Sequence, residues 1–415
     1  MSRIPRPVWL LGWCSLFTDA ATEMIYPLLP MYLSRVLGAG ALSLGIIEGV
    51  AEAVNSALKV GSGYFSDRWA KRRPIVIAGY SISSAVRPLI AITSTWPQVL
   101  LIRVLDRTGK GIRGAPRDAM LAQFAPEGER GHIFGFHRAM DHTGAIIGPV
   151  IATVILFFAP GEYRLIFALT IIPGAIAVAL LFRVPETAGP AAAGASSAAG
   201  TRPTYGGPAY VGRVPPGKVV PALGGPAEKL PRRLLAFFAV LLLFSLGNSS
   251  DAFLLLRLSD ELGSVTFVPL LWAGLHVVKA SLSTWGGGLS DRLGRKRVIV
   301  LGWMVFAAVY GGFAVATDPM TFIGLFLAYG VYFALTEGAE KALVADLAPS
   351  EQRGTAFGLY NAALGLGSLG ASVGFGLLYE RVSAAAAFGT GAALAALAAT
   401  LLTFVPTSRT QMLRS

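Results

Sequence analysis

The chain has 415 residues, of which 54% are hydrophobic and only 14% charged, and its mean hydropathy is +0.60. Soluble domains carry about 25% charged residues, so a soluble globular protein is excluded, and a single cysteine, Cys14, excludes an internal disulfide framework. The net charge of +12 is not gathered into a continuous nucleic-acid-binding patch; the basic residues sit in short loops and at the ends of apolar runs.

About 20 apolar residues cross a bilayer core, and the chain reads as twelve such runs. The first, 8–33, is too long for a signal-peptide core and lacks a convincing small-residue cleavage site, so it is read as a span. The next five cover 43–65, 74–94, 98–122, 132–158 and 164–183. Residues 186–231 are rich in Gly, Ala, Pro and Ser, a composition that cannot bury enough apolar surface to order itself, and are expected to form a flexible cytoplasmic linker. Six further runs cover 233–257, 266–289, 296–316, 320–345, 354–379 and 385–405. The expected fold is therefore an all-α integral membrane protein. Residues 1–185 would form one six-helix bundle, 186–231 the linker and 232–415 a second six-helix bundle.

One set of loops carries Arg3 and Arg6, the run from Arg68 to Arg73, the run from Arg292 to Arg297, and Arg409 and Arg414. The alternate loops carry almost no Lys or Arg. That asymmetry predicts that both termini and the basic loops face the cytoplasm.

The two halves are related. Gly63-Tyr-Phe-Ser-Asp67-Arg68-Trp-Ala-Lys71-Arg72-Arg73 returns 224 residues later as Gly287-Gly-Leu-Ser-Asp291-Arg292-Leu-Gly-Arg295-Lys296-Arg297. Arg130-Gly131-His-Ile-Phe134-Gly135 matches Arg353-Gly354-Thr-Ala-Phe357-Gly358 at an offset of 223. A repeat of this length on a membrane background marks a transporter built from two bundles. The Gly-(x)3-Asp-Arg-(x)3-Arg-Arg signature between spans 2 and 3, with a copy between spans 8 and 9, resembles that of the major facilitator superfamily; Ala70 stands where the family often has Gly, and the second copy keeps Gly294. The resemblance covers all of the chain except the linker. It implies twelve transmembrane helices in two pseudo-symmetric bundles around a central cavity, alternating access, and a cavity lined by spans 1, 4, 7 and 10.

Charge placement agrees with that implication, because a charge in hydrocarbon must face protein or water. Span 1 holds Asp19 and Glu23, span 7 Asp251 and Arg257, and span 10 Glu337, Glu340 and Lys341, whereas spans 6, 9 and 12 hold no charge in their interiors. Span 4 holds Arg103, Asp106, Arg107, Lys110, Arg113, Arg117 and Asp118. Five cations against two acids give +3, within an arc of roughly 140° at ~100° per residue. Such a wall attracts anions, and Arg suits carboxylate or phosphate because its planar fork bonds two oxygens. Arg103, Arg107, Lys110 and Arg113 are candidate substrate-binding residues, joined by Tyr360 and Asn361 from span 11; the alternative for span 4 is a neutralised structural network. Asp19, Glu23, Asp106 and Glu337 are the candidate proton carriers, with Asp19 near the midplane; pairing with span-4 cations is the alternative. Glu48 and Glu52 on span 2 read more readily as a wet outer end.

Arg107-Thr-Gly109-Lys110-Gly111 resembles the family's span-4 signature, whose Arg is tied to proton coupling in drug/proton antiporters. Gly135, Gly144, Gly148 and Pro149 resemble the antiporter signature of span 5, which implies export; the plainer reading is close helix packing with a kink. Asp67, Arg68 and Arg72, with Asp291, Arg292 and Arg295, are expected to latch one state shut across the bundles; topology signalling by positive charge is the alternative. His137 and Asp141 are i,i+4, but no dense ligand set accompanies them, so no metal or other cofactor is expected. No ATP-binding loop, nucleophile elbow or zinc motif is present, and enzymatic activity is not expected.

The leading expectation is proton-coupled export of a small organic anion or amphiphile by a monomer in a bacterial inner membrane. Its partners would be that substrate, protons and the lipid bilayer, with no nucleic acid. Proton-coupled import of an organic anion is the alternative within transport, and a lipid flippase or non-transporting sensor the alternative outside it.

Overall fold

The computed structural model describes residues 4–66, 71–125, 130–186, 230–348 and 353–406. The expected linker beyond residue 186 and the expected latch residues Asp67 and Arg68 lie outside the described residues. Twelve spans follow in chain order. In the first half they are α1 (Arg6–Ile25), α2 (Ala41–Ser66), α3 (Arg73–Val86), α4 (Trp96–Phe124), α5 (Arg130–Phe158) and α6, built from Tyr163–Leu169 and Ile171–Leu181. In the second half they are α7, built from Arg232–Gly247 and Ala252–Leu262, then α8 (Val268–Leu293), α9 (Arg295–Val315), α10 (Pro319–Leu347), α11 (Arg353–Arg381) and α12 (Ala384–Phe404). Nine helices among the described residues are long and apolar enough to cross a membrane. The length and position of α4 match the others, but its seven charges keep it from that set.

Four spans depart from regular helix: α6 is interrupted at Thr170, and the other three break for a plain local reason. Pro27 and Pro30 interrupt α1, which continues through a 3₁₀ turn at Tyr26–Leu28 and a π turn at Tyr32–Val36. Pro88 opens a 3₁₀ segment, Arg87–Ile92, at the end of α3. The α7 span, expected as one continuous helix, breaks at Asn248-Ser249-Ser250-Asp251, where short polar side chains compete with the backbone ladder. At the start of α10, Asp318 accepts a hydrogen bond from the Thr321 amide (2.9 Å), which holds its carboxyl below the usual range.

Two seams join the bundles: α2 packs along α11, and α5 along α8. Small residues bring the backbones close. A Cβ added at Gly365 would lie 2.6 Å from the Ser56 Cβ, and one at Gly376 2.6 Å from the Ala41 carbonyl oxygen. Within the first bundle, Gly144 and Gly148 of α5 lie against the backbone carbonyls of Leu16 and Ala20 on α1. A carbonyl in a helix cannot step aside as a side-chain end can. Gly148→Leu should therefore cost about 1–3 kcal/mol and lower the thermal midpoint of detergent-solubilised protein; an unchanged midpoint would show that the two helices are not in this contact.

The repeat seen in sequence is also a repeat of contacts. Gly79 packs on Gly109 and Arg113, and Gly302 packs on Tyr332 and Thr336, each partner displaced by 223. Away from the basic loops the bundles are tied together. Arg35 donates to the Ser259 carbonyl (3.2 Å), and the Leu42 amide donates to Glu380 (3.0 Å).

Candidate functional site

A cavity of about 410 Å³ lies between the bundles. Its first-bundle wall comes from α1 (Glu23, Tyr26), α2 (Glu48, Glu52) and α4 (Arg107, Lys110). Its second-bundle wall comes from the break in α7 (Asn248 to Asp251), from α8 (Trp272, Lys279), and from Phe333, Leu364 and Ser368. An unwound stretch at the centre of a span exposes backbone groups to the cavity, the usual way a membrane protein builds a polar site at depth.

The wall is bipolar. Glu48 is bound by Arg103 (2.7 Å), and Asp251 accepts from Tyr329 (2.7 Å) and lies 3.9 Å from Lys279. The Lys279 ammonium sits 3.4 Å from the centre of the Phe333 ring. Glu23 accepts from the Trp272 indole (2.7 Å), and Tyr26 shares a hydrogen bond with Ser250 (3.3 Å); both bonds cross from one bundle to the other. Glu52 accepts from Asn55 (3.0 Å). Among the described residues neither Arg107, which is 8% exposed, nor Lys110 forms an ion pair or hydrogen bond with the protein.

The other charges of α4 point elsewhere. Asp106 is held by Arg87 (2.9 Å) and approached by Arg103 (3.9 Å), so Glu48, Arg103, Asp106 and Arg87 form a neutral buried chain across α2, α4 and α3. Arg87 is thus turned inward. Arg113 stacks on Tyr80 (4.3 Å) and donates to Ser83 (2.8 Å), away from the cavity. Arg117 pairs with Asp118 (3.0 Å).

Of the remaining candidates, Asp19 lies one turn from Glu23 with Asp141, Lys110, Arg113 and Arg117 as its charged neighbours; it does not line the cavity. Glu337 is exposed and pairs with Lys341 (3.5 Å). Asn361 donates to the Phe357 carbonyl of its own helix (2.8 Å), and Tyr360 donates to Glu340 (3.0 Å). Arg72 donates to Gln123 (3.4 Å) in its own bundle, and its amide to Glu186 (3.1 Å), just past the end of α6. Arg295 donates to Ser290 (2.6 Å) and lies 3.7 Å from Asp346, again in its own bundle. Arg292 is exposed, while the side-chain surroundings of Asp291 and Gly135 fall outside the described set. Pro149 is internal to α5. His137 Nδ1 lies 3.6 Å from Asp141, and Ser15 hydrogen-bonds the same carboxylate.

Sequence reasoning gave too little weight to four cavity residues. Glu48 and Glu52 face the cavity rather than a wet end. Lys279 and Asn248 belong to it as well. The signal for Asn248 was available: four consecutive polar residues interrupt an otherwise apolar run.

Twelve spans, two bundles related by a repeat, and a polar cavity at their seam define a multi-pass membrane protein of the transporter class. The family model of the Major Facilitator Superfamily matches residues 11–263 and 235–414, and the chain belongs to that superfamily. It is 32% identical over 408 residues to an uncharacterized MFS-type transporter of Methanocaldococcus jannaschii, covering 97% of this chain and 95% of the relative. It is 24% identical over 399 residues to a probable 4-methylmuconolactone transporter of Cupriavidus pinatubonensis, covering 91% of this chain and 84% of the relative. Among solved structures it resembles a POT family transporter in complex with 5-aminolevulinic acid (TM-score 0.76, 10% identity, 97% of this chain and 96% of that one), a likeness of fold alone.

Proposed function

We propose that the protein is a proton-coupled secondary transporter that exports a small organic anion by alternating access. The observation that carries this reading is the pair Arg107 and Lys110. Both line the inter-bundle cavity, and neither is bonded to the protein among the described residues. Asp106, Glu52 and Glu48 act on Arg107, and Asp19 and Glu52 on Lys110, without a direct bond, so both cations keep donors free for a carboxylate arriving from solution. The cavity, at about 410 Å³, is on the scale of small-molecule sites. The name of the Cupriavidus relative, a probable 4-methylmuconolactone transporter, is in keeping with a small organic substrate.

Glu23 is the preferred proton carrier. Its carboxylate lies in the cavity and takes the cross-bundle bond from Trp272, so gaining a proton there weakens a contact between the bundles. Asp19, one turn further along α1, extends the route toward the basic loops. Export is supported by the α5 signature, and cytoplasmic termini in a bacterial inner membrane by the charge of the loops.

The test is flux in proteoliposomes loaded with aliphatic or aromatic monocarboxylates. Efflux that accelerates when the outer medium is made more acidic than the lumen is expected for proton exchange. Equal efflux with and without the gradient removes the coupling, and no carboxylate flux in either condition removes the anion reading.

A further inference from the structure

Glu340 lies in the second bundle, outside the cavity. It is 5% exposed, and its oxygens accept from two neutral donors, the Trp303 indole N–H (2.9 Å) and the Tyr360 hydroxyl (3.0 Å). No cation pairs with it among the described residues. Lys341, its neighbour in sequence, points outward to Glu337. The charged and titratable groups that act on it are Glu337, Lys341 and, two turns earlier on the same face, Tyr332 from its own helix, and Tyr360 from α11.

The related position in the first bundle is built differently. At the repeat offset of 223, Trp303 corresponds to Tyr80, Glu340 to Arg117 and Tyr360 to His137. Arg117 is permanently charged and has an anionic partner, Asp118 at 3.0 Å. One half therefore fills this node with a compensated fixed charge, and the other fills it with an uncompensated carboxyl group.

The two partners of Glu340 are chemically unequal. An indole N–H only donates, whereas a phenol hydroxyl both donates and accepts. As a carboxylate, Glu340 accepts from both. As a carboxylic acid, one oxygen still accepts from Trp303 while the acid O–H donates to the Tyr360 oxygen. Rotation of the Tyr360 hydroxyl lets its oxygen take the acid proton without movement of a heavy atom, while its own O–H gives up Glu340 as acceptor. A polar stripe leads from this node toward the cavity: Thr336 and Tyr332 share its face of α10, and the Tyr332 hydroxyl accepts from Asn248 (3.1 Å) on the cavity wall.

We propose that Glu340, cradled by Trp303 and Tyr360, is a reversible proton-binding site of the second bundle, separate from the substrate cavity. This goes beyond the transport reading, and its test needs no substrate, so either can fail alone. The experiment is infrared pH-difference spectroscopy of the full-length protein in liposomes. As pH falls, the carbonyl stretch of buried carboxylic acids should appear in the wild type, and one component of it should be lost in Glu340→Gln and persist in Glu337→Gln and Glu23→Gln. Should Glu340→Gln fail to fold, Tyr360→Phe serves: it leaves the Trp303 donor in place and removes the acceptor of the acid proton, so the band should shift in frequency. A carboxylic-acid band that is the same in wild type, Glu340→Gln and Tyr360→Phe overturns the proposal, as does a wild type with no such band at any pH at which it stays folded.

Discussion

Replacing Asp106 with alanine should destabilise the protein by about 3–5 kcal/mol, the cost of leaving a buried cation without its partner. The cation is Arg87, whose side chain is 4% exposed and whose Nε lies 2.9 Å from the Asp106 carboxylate. Arg87 also donates to the Thr18 carbonyl (3.2 Å), but a neutral acceptor does not balance its charge. Arg103 suffers less, because Glu48 still holds it at 2.7 Å. The damage should therefore fall on the contact of α3 with α4. Asp106→Asn keeps an acceptor of the same shape and should recover part of the loss. Thermal unfolding of purified protein in detergent measures both variants. A midpoint for Asp106→Ala equal to that of the wild type would mean that Arg87 reaches water or another anion.

This buried chain marks the boundary of what the sequence could disclose. A helical wheel showed that seven charges of α4 share an arc, and the repeat motifs showed that two bundles exist. Neither shows which helix stands opposite each charge. Glu48 on α2 and Arg87 beside Pro88 on α3 supply the partners, and both come from outside the stripe. The net charge of +3 thus overstates what the cavity sees, because only Arg107 and Lys110 of the seven line it. Span positions were legible because about 20 apolar residues are a physical requirement of the bilayer. The break in α7 is hidden when hydropathy is averaged over a span and shows only residue by residue, as the four polar residues 248–251. Three of those four, Asn248, Ser249 and Asp251, are tied to Tyr332, Tyr310 and Tyr329. The positions of Asp67 and Arg68 stay an expectation, while the side chains of Arg72 and Arg295 make their described bonds inside their own bundles.

The cross-bundle bonds described here run from the cavity to the end away from the basic loops. Tyr26 to Ser250 and Trp272 to Glu23 close the cavity on that side, and Arg35 to Ser259 lies further out. In an alternating-access cycle these are the bonds that must break for the opposite opening, and a substrate biases the cycle only through contacts that differ between the two states. Arg107 and Lys110 stand on the first bundle, whereas Lys279 and the α7 break stand on the second. An anion held between them therefore touches both moving parts.

Replacing Arg107 with glutamine should separate binding from folding. Charge-assisted hydrogen bonds are worth about 1.5–3 kcal/mol each, so loss of the guanidinium should weaken binding of a carboxylate by roughly 10- to 100-fold. Arg107→Lys keeps the charge but loses the two-oxygen fork, and should fall between the two. The effect on the empty protein should be much smaller. Arg107 is 8% exposed and forms no ion pair or hydrogen bond among the described residues, so its replacement breaks no direct bond; relief of its desolvation is set against loss of the longer-range attraction of Asp106, Glu52 and Glu48. The substrate-free variant should melt close to the wild type. Thermal-shift titration with simple mono- and dicarboxylates reads both quantities in one experiment. If Arg107→Gln melts lower than the wild type without ligand, the guanidinium belongs to the protein's own ionic network. If it melts the same and binds carboxylates equally well, the anion site lies elsewhere on the cavity wall.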